Sequence, residues 1–131
     1  MSYVLDTDIV IYFLKGHRIV MSEVFNKDMR DLFITRITAT ELLFGAYNSK
    51  KQPQNLKLVY NLLNDFNILE FDANASECFA RQKATLRKNG TPIADMDLMI
   101  ASICVAQNKI LVTNNSRHFD RITELKLENW T

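Results

Sequence analysis

The feature that most constrains this chain is an alternation of short apolar runs with stretches of helical period. The runs are Val4-Leu5, Leu32-Phe33-Ile34-Thr35, Ile68-Leu69-Glu70-Phe71 and Ile110-Leu111-Val112-Thr113. Each is too short for a helix and rich in the residues that favour strands. Ile9 to Leu14 follows the first run and stops at Lys15-Gly16. Residues 17–30 carry Ile19, Val20, Val24 and Phe25 at helical spacing, and further helices are expected over 37–48 and 53–66. Asp72 is placed to cap a long helix that Asn89-Gly90 closes, and residues 95–107 form the most apolar helix. Residues 114–120 read as a loop with room for one helical turn, and 125–129 as a short last strand. Strands that are apolar on both faces belong to parallel sheets, which need crossover helices. The expected fold is therefore α/β, one domain over residues 1–131, with a mostly parallel central sheet of four to five strands flanked by helices. In such sheets ligands meet the protein at the carboxyl ends of the strands. Asp6 ends the first run and Asn115 follows the fourth, so chemistry is expected at both.

Composition narrows the function classes. A chain of 131 residues supports one real core. Sixteen Lys+Arg against fifteen Asp+Glu leave a net charge of +1, so bulk basicity gives no argument for nucleic acid. Cys78 and Cys104 have no metal-type spacing and sit in helical apolar stretches, which fits reduced core thiols and a cytoplasmic protein. No apolar run approaches a membrane span, and Met1 leads almost at once into a strand rather than a secretion signal.

The acids carry the chemical signal. A carboxylate at the end of an apolar strand is partly desolvated and needs a partner. Asp6 is read as functional, with helix capping as its alternative, whereas Asp8 is read as structural. Glu41 stands equally between two readings. Thr38-Ala39-Thr40-Glu41 fits a capping box, yet the residue follows the second strand and so lies at the same end of the sheet as Asp6. Asp97 sits near the start of a helix that is apolar almost all round, on a stripe with Ala101 and Cys104. A helix dipole contributes only about 0.3–1 kcal/mol to such an acid, too little to explain a carboxylate turned inward. Asp95 is read as the cap of that helix. Clustered carboxylates with no neighbouring lysine or arginine favour a hard divalent cation, Mg²⁺ or Mn²⁺. Zinc does not fit, because His17 and His118 are the only histidines and form no cluster with the cysteines. In Val112 to Phe119, small polar groups suit a water or a phosphate and Arg117 a phosphate contact, while Ser116 and His118 are read as loop residues and Phe119 as an anchor.

Together these motifs resemble the PIN-domain family: Asp6 in Leu-Asp-Thr-Asp-Ile, Glu41 in Thr-Glu-Leu-Leu-Phe-Gly-Ala, Asp97 in Gly-Thr-Pro-Ile-Ala-Asp-Met-Asp-Leu-Met-Ile-Ala, and Val-Thr-Asn-Asn-Ser-Arg-His-Phe. The likeness is strongest to the VapC toxins of bacterial type II toxin–antitoxin systems and covers nearly the whole chain. It implies a metal-dependent endoribonuclease that cuts tRNA or rRNA, with a lean toward the branch that cleaves initiator tRNA. It also implies a homodimer, inhibition by a VapB-type antitoxin, and binding of operator DNA through that antitoxin. Carried over, Asp6, Glu41 and Asp97 hold the metal, which activates water for hydrolysis, and Asn115 stands where many PIN domains have a fourth acid. Two other readings compete. Asp6-Thr7-Asp8 resembles the first motif of haloacid-dehalogenase-type phosphatases, although Ile9 replaces the usual glycine and no lysine is suitably placed. A non-catalytic RNA- or protein-binding module would use the same acids only as caps.

Overall fold

The computed structural model describes residues 1–131. Its strands are β1 (Tyr3–Leu5), β2 (Leu32–Thr35), β3 (Asn67–Leu69), β4 (Ile110–Val112) and β5 (Lys126–Glu128). They form one parallel sheet in the order β3-β2-β1-β4-β5. Helices fill every connection: α1 (Thr7–Leu14) and α2 (Arg18–Phe25), then α3 (Arg36–Tyr47) and α4 (Gln52–Asp65), then α5 (Ala73–Lys88) and α6 (Asp95–Gln107), then α7 (Ser116–Phe119). The expected α/β architecture and parallel sheet are what the chain adopts, and no helix is long and apolar enough to cross a membrane.

The central strand shows why the runs are apolar throughout. Val4 and Leu5 are both fully buried, but on opposite faces of the sheet. Leu5 joins Leu32, Ile34 and Val112 under α1 to α4, in a core that includes Ile9, Val20, Leu42 and Leu62. Val4 and Leu111 face the other layer, with Leu98, Ala101, Cys104 and Phe119 of α6 and α7. The aliphatic side chains on both sides leave no face for water.

The order of strands creates the site. From β1 the chain builds outward through β2 to β3. It then returns on α5 and α6 to lay β4 on the other side of β1. Helices leave β1 and β4 in opposite senses, so a crevice opens at their carboxyl ends. Register aligns those ends, since Leu5 pairs with Val112 and Asp6 N–H donates to the Val112 carbonyl at 2.9 Å.

Some boundaries differ from the sequence reading. The second helix stops at Phe25. Asp28 then caps a 3₁₀ turn, Met29–Asp31, which turns the chain into β2. β3 is Asn67–Leu69, and Glu70 leaves the sheet to pair with Arg36. Thr35, not Thr38, caps α3 by accepting from Thr38 N–H at 3.1 Å, so the capping-box reading of Glu41 fails. Ala94 precedes α6 without a side-chain cap, so Asp95 does not cap it.

Candidate active site

Asp6 stands at the mouth of the crevice and is 5% exposed. Its Oδ1 accepts from Thr7 N–H at 2.9 Å and its Oδ2 from the Thr113 hydroxyl at 2.8 Å. Thr113 is itself fully buried and accepts from Asn115 N–H at 3.0 Å. Asp6 is thus the N-cap residue of α1 and also stands at the crevice. Burial pushes its carboxyl up to about 7, with the neighbouring charge of Asp8 adding to the effect. The two hydrogen bonds pull the other way and do not compensate, and Asp97 raises it further.

Asp8 belongs to this group, against the sequence reading. Its Oδ2 accepts from Asn114 N–H at 3.1 Å, while its Oδ1 is buried with no partner at all. Burial is the main cause of its raised pKa, and Asp97 adds to it. An orphaned carboxylate oxygen of this kind is expensive unless something binds it. The sequence signal for Asp8 was its place two residues after Asp6, at the first turn of α1. Sequence periodicity could not show that the β4–α7 loop would bury it.

Asp97 approaches from α6 and is partly exposed rather than sunk in the core. Its Oδ2 lies 3.1 Å from His118 Nε2 on α7. His118 is thus a neighbour of the acids and not the solvated loop residue that the sequence suggested. Asp95, one turn-face away, points outward to an ion pair with Lys83 at 2.9 Å.

Glu41 reaches the site through hydroxyls. Thr7 Oγ1 donates to Glu41 Oε1 at 2.7 Å and lies 2.9 Å from Thr38 Oγ1. Thr7 has one hydroxyl proton, so with that proton on Glu41 it is Thr38 that donates to Thr7. This relay tethers Glu41 to Thr7, the residue between Asp6 and Asp8. The side chain opens into a shallow depression with Thr7, Ile11, Phe44 and Met96.

Asn115 lies at the same end, as expected, but its backbone N–H and not its side chain enters the hydrogen-bond network. Asn114 is tied down by its neighbours, donating to the Tyr12 hydroxyl and accepting from Thr131. The sequence reading took Asp8 as structural and His118 as a loop residue, and gave Thr7 and Thr113 no role of their own.

No lysine or arginine pairs with Asp6, Asp8, Glu41 or Asp97. The donor set is carboxylate and hydroxyl oxygen with one imidazole nearby, and one buried carboxylate oxygen is unclaimed. That chemistry fits a hard divalent cation. No three of these acids stand as a ready-made chelate. An ion that retains several of its own waters, as Mg²⁺ does, suits such a spread set.

The sequence matches the PIN-domain family over residues 3–125. It is 34% identical to Ribonuclease VapC2 of Haemophilus influenzae over 130 residues, 99% of this chain and 98% of that protein. It is 31% identical to the tRNA(fMet)-specific endonuclease VapC of Shigella flexneri over 131 residues, 100% of this chain and 99% of the relative. Among solved structures, the DNA-bound VapBC complex of Salmonella typhimurium contains a chain that superposes with a TM-score of 0.93 at 31% identity, covering 100% of this chain and 99% of that one. VapBC2 of Rickettsia felis, bound to a DNA fragment from its promoter, gives 0.91 at 33% identity and full coverage of both chains.

Proposed function

This chain belongs to the PIN-domain family as a ribonuclease of the VapC kind, and on that premise we propose that it hydrolyses RNA at the Asp6–Asp8–Asp97 crevice with Mg²⁺ or Mn²⁺. It is the toxin of a toxin–antitoxin pair, with a VapB-type antitoxin as its protein partner. One observation carries the site assignment: at the carboxyl end of the central strand a buried Asp6 stands beside a half-buried Asp8, one of whose oxygens is buried with no partner. Carboxylates that are desolvated and left uncompensated in this way cost the fold stability and cluster where binding or catalysis uses them.

Asp6 and Asp97 would hold the ion, with Asp8 and Glu41 completing its surroundings. The ion, when bound, supplies a Lewis acid that makes water a nucleophile at neutral pH and offsets the charge of a phosphodiester. The protein does the rest by position. Thr113 and Thr7 N–H fix the Asp6 carboxylate, and His118 fixes that of Asp97. The hydroxyl relay aims Glu41 at the same space, where it orients the attacking water or takes its proton. Hydrolysis by water in line with the leaving oxygen yields 5′-phosphate and 3′-hydroxyl ends. The substrate is tRNA, and the initiator species is the first to test given the likeness to tRNA(fMet)-specific relatives. We place the protein in the cytoplasm as a homodimer, with operator DNA bound through the antitoxin.

The test is incubation of the purified toxin, freed of antitoxin, with tRNA in Mg²⁺, Mn²⁺ or EDTA beside Asp97→Asn. We expect metal-dependent cuts with 5′-phosphate ends, slowed at least ~100-fold in the folded variant. Full activity of Asp97→Asn would remove Asp97 from the site. A 2′,3′-cyclic phosphate end would mean that the ribose hydroxyl, not water, attacked.

A further inference from the structure

The acids of the crevice account for hydrolysis, but none of them is paired with a lysine or arginine. Cations gather on the α5–α6 side of it instead. A cleft of about 390 Å³ lies between the last turns of α5 and the segment leading into α6. Leu86, Pro92, Ile93 and Leu98 line its floor, and Lys83 and Arg87 line its rim. Arg87 is exposed and makes no ion pair. Lys83 pairs with Asp95, in a pair whose side chains are 48% and 57% exposed, and lies 5.6 Å from the centre of the Phe79 ring, so it can exchange partners at little cost. Arg121 donates to the Pro92 carbonyl at 2.9 Å and braces the segment from the α7 side. The cleft includes Asp95 and Leu98, which flank Asp97 in the first turn of α6.

An apolar floor beneath two cations matches one kind of ligand: a flat ring carrying a phosphate. Its place beside a phosphodiester-cleaving crevice says which. We propose that this cleft is a nucleotide subsite, seating a base of single-stranded RNA next to the scissile bond, with the adjoining phosphate on Lys83 and Arg87. The inference rests on the ribonuclease reading and deepens it. A chain with a net charge of +1 thereby binds a polyanion through a local arrangement instead of bulk charge.

The test measures binding apart from cleavage. A fluorescein-labelled single-stranded RNA of about a dozen nucleotides is titrated into Asp97→Asn protein, alone and with Lys83→Ala plus Arg87→Ala, by fluorescence anisotropy over a range of salt. The cleft variant is expected to bind at least tenfold more weakly at low salt. Its slope of log K against log salt should fall by about 0.7, the value for one phosphate neutralised on a single strand. Arg87→Lys should restore part of the affinity. Lys50→Ala plus Lys51→Ala removes equal charge from the α3–α4 connection and should leave both quantities unchanged. Wild-type affinity and slope in the cleft variant, or an equal loss in the Lys50 and Lys51 control, would overturn the proposal. So would a defect seen only toward an acidic protein, with RNA binding intact. Failure of the wild type to cut RNA would sink the ribonuclease reading separately, because the binding comparison does not depend on cleavage.

Discussion

Replacing Asp6 with asparagine should make the protein more stable at neutral pH while destroying its activity. In the unfolded chain Asp6 ionises near 3.8, whereas in the metal-free fold it holds its proton to about 7. Below pH 3.8 both states are protonated and the acid is neutral to stability. As pH rises from there, unfolding releases a proton, so stability falls until the folded carboxyl also ionises near 7. The interval spans about three pH units at 1.36 kcal/mol each, so the ionised carboxylate costs the fold about 4 kcal/mol above pH 7. Asparagine is nearly isosteric and never charged. Its oxygen can keep the bond from Thr7 N–H, and its amide can donate to Thr113 Oγ1, whose proton is free to turn away. Allowing about 1 kcal/mol for poorer geometry, Asp6→Asn should gain about 2–4 kcal/mol at pH 8 and lose about 1 kcal/mol below pH 4. The assay is urea unfolding in EDTA at both pH values. The midpoint should rise by about 1–2 M at pH 8 for a slope near 2 kcal/mol/M. Saturating Mn²⁺ should then stabilise the wild type, by about 2.7 kcal/mol at a hundred times its dissociation constant, and the variant much less. A variant less stable than wild type by the same amount at both pH values would refute the reasoning, since Asp6 would then be an ordinary cap.

Other expectations follow from the same contacts. Thr113→Val removes the donor to Asp6 and the acceptor of Asn115 N–H. It should cost about 1–3 kcal/mol in urea unfolding and slow cleavage, with Thr113→Ser recovering both. His118→Ala should lower kcat about 10–100-fold with little change in KM for RNA, because the residue acts by holding Asp97, and His118→Asn should recover part of the rate. Asp8→Asn should weaken Mn²⁺ binding at least ~10-fold by calorimetry. Asn115→Ala should leave cleavage within about threefold, because only the backbone of Asn115 enters the network. A larger loss there would restore Asn115 as a side-chain participant.

The residues themselves determined the sheet. Val4-Leu5 and Ile110-Leu111-Val112 are apolar at every position because each strand is covered on both faces, and that requirement leaves its mark on local sequence. The helices were legible for the same reason, since their buried stripes repeat at the helical period. Asp6 and Asp97 were legible as misfits, charged groups where the pattern calls for apolar ones. Tertiary structure alone decided the rest of the site. Glu41 fitted a capping box, and only the placement of α3's start at Thr35 and the reach of Thr7 across to it removed that reading. Asp8 and His118 look like ordinary turn residues in sequence. They join Asp6 and Asp97 because β4 returns beside β1 after more than a hundred residues, laying the Thr113–His118 segment over the crevice. A carboxylate's burial depends on what the chain later folds on top of it, and no window of neighbouring residues contains that information.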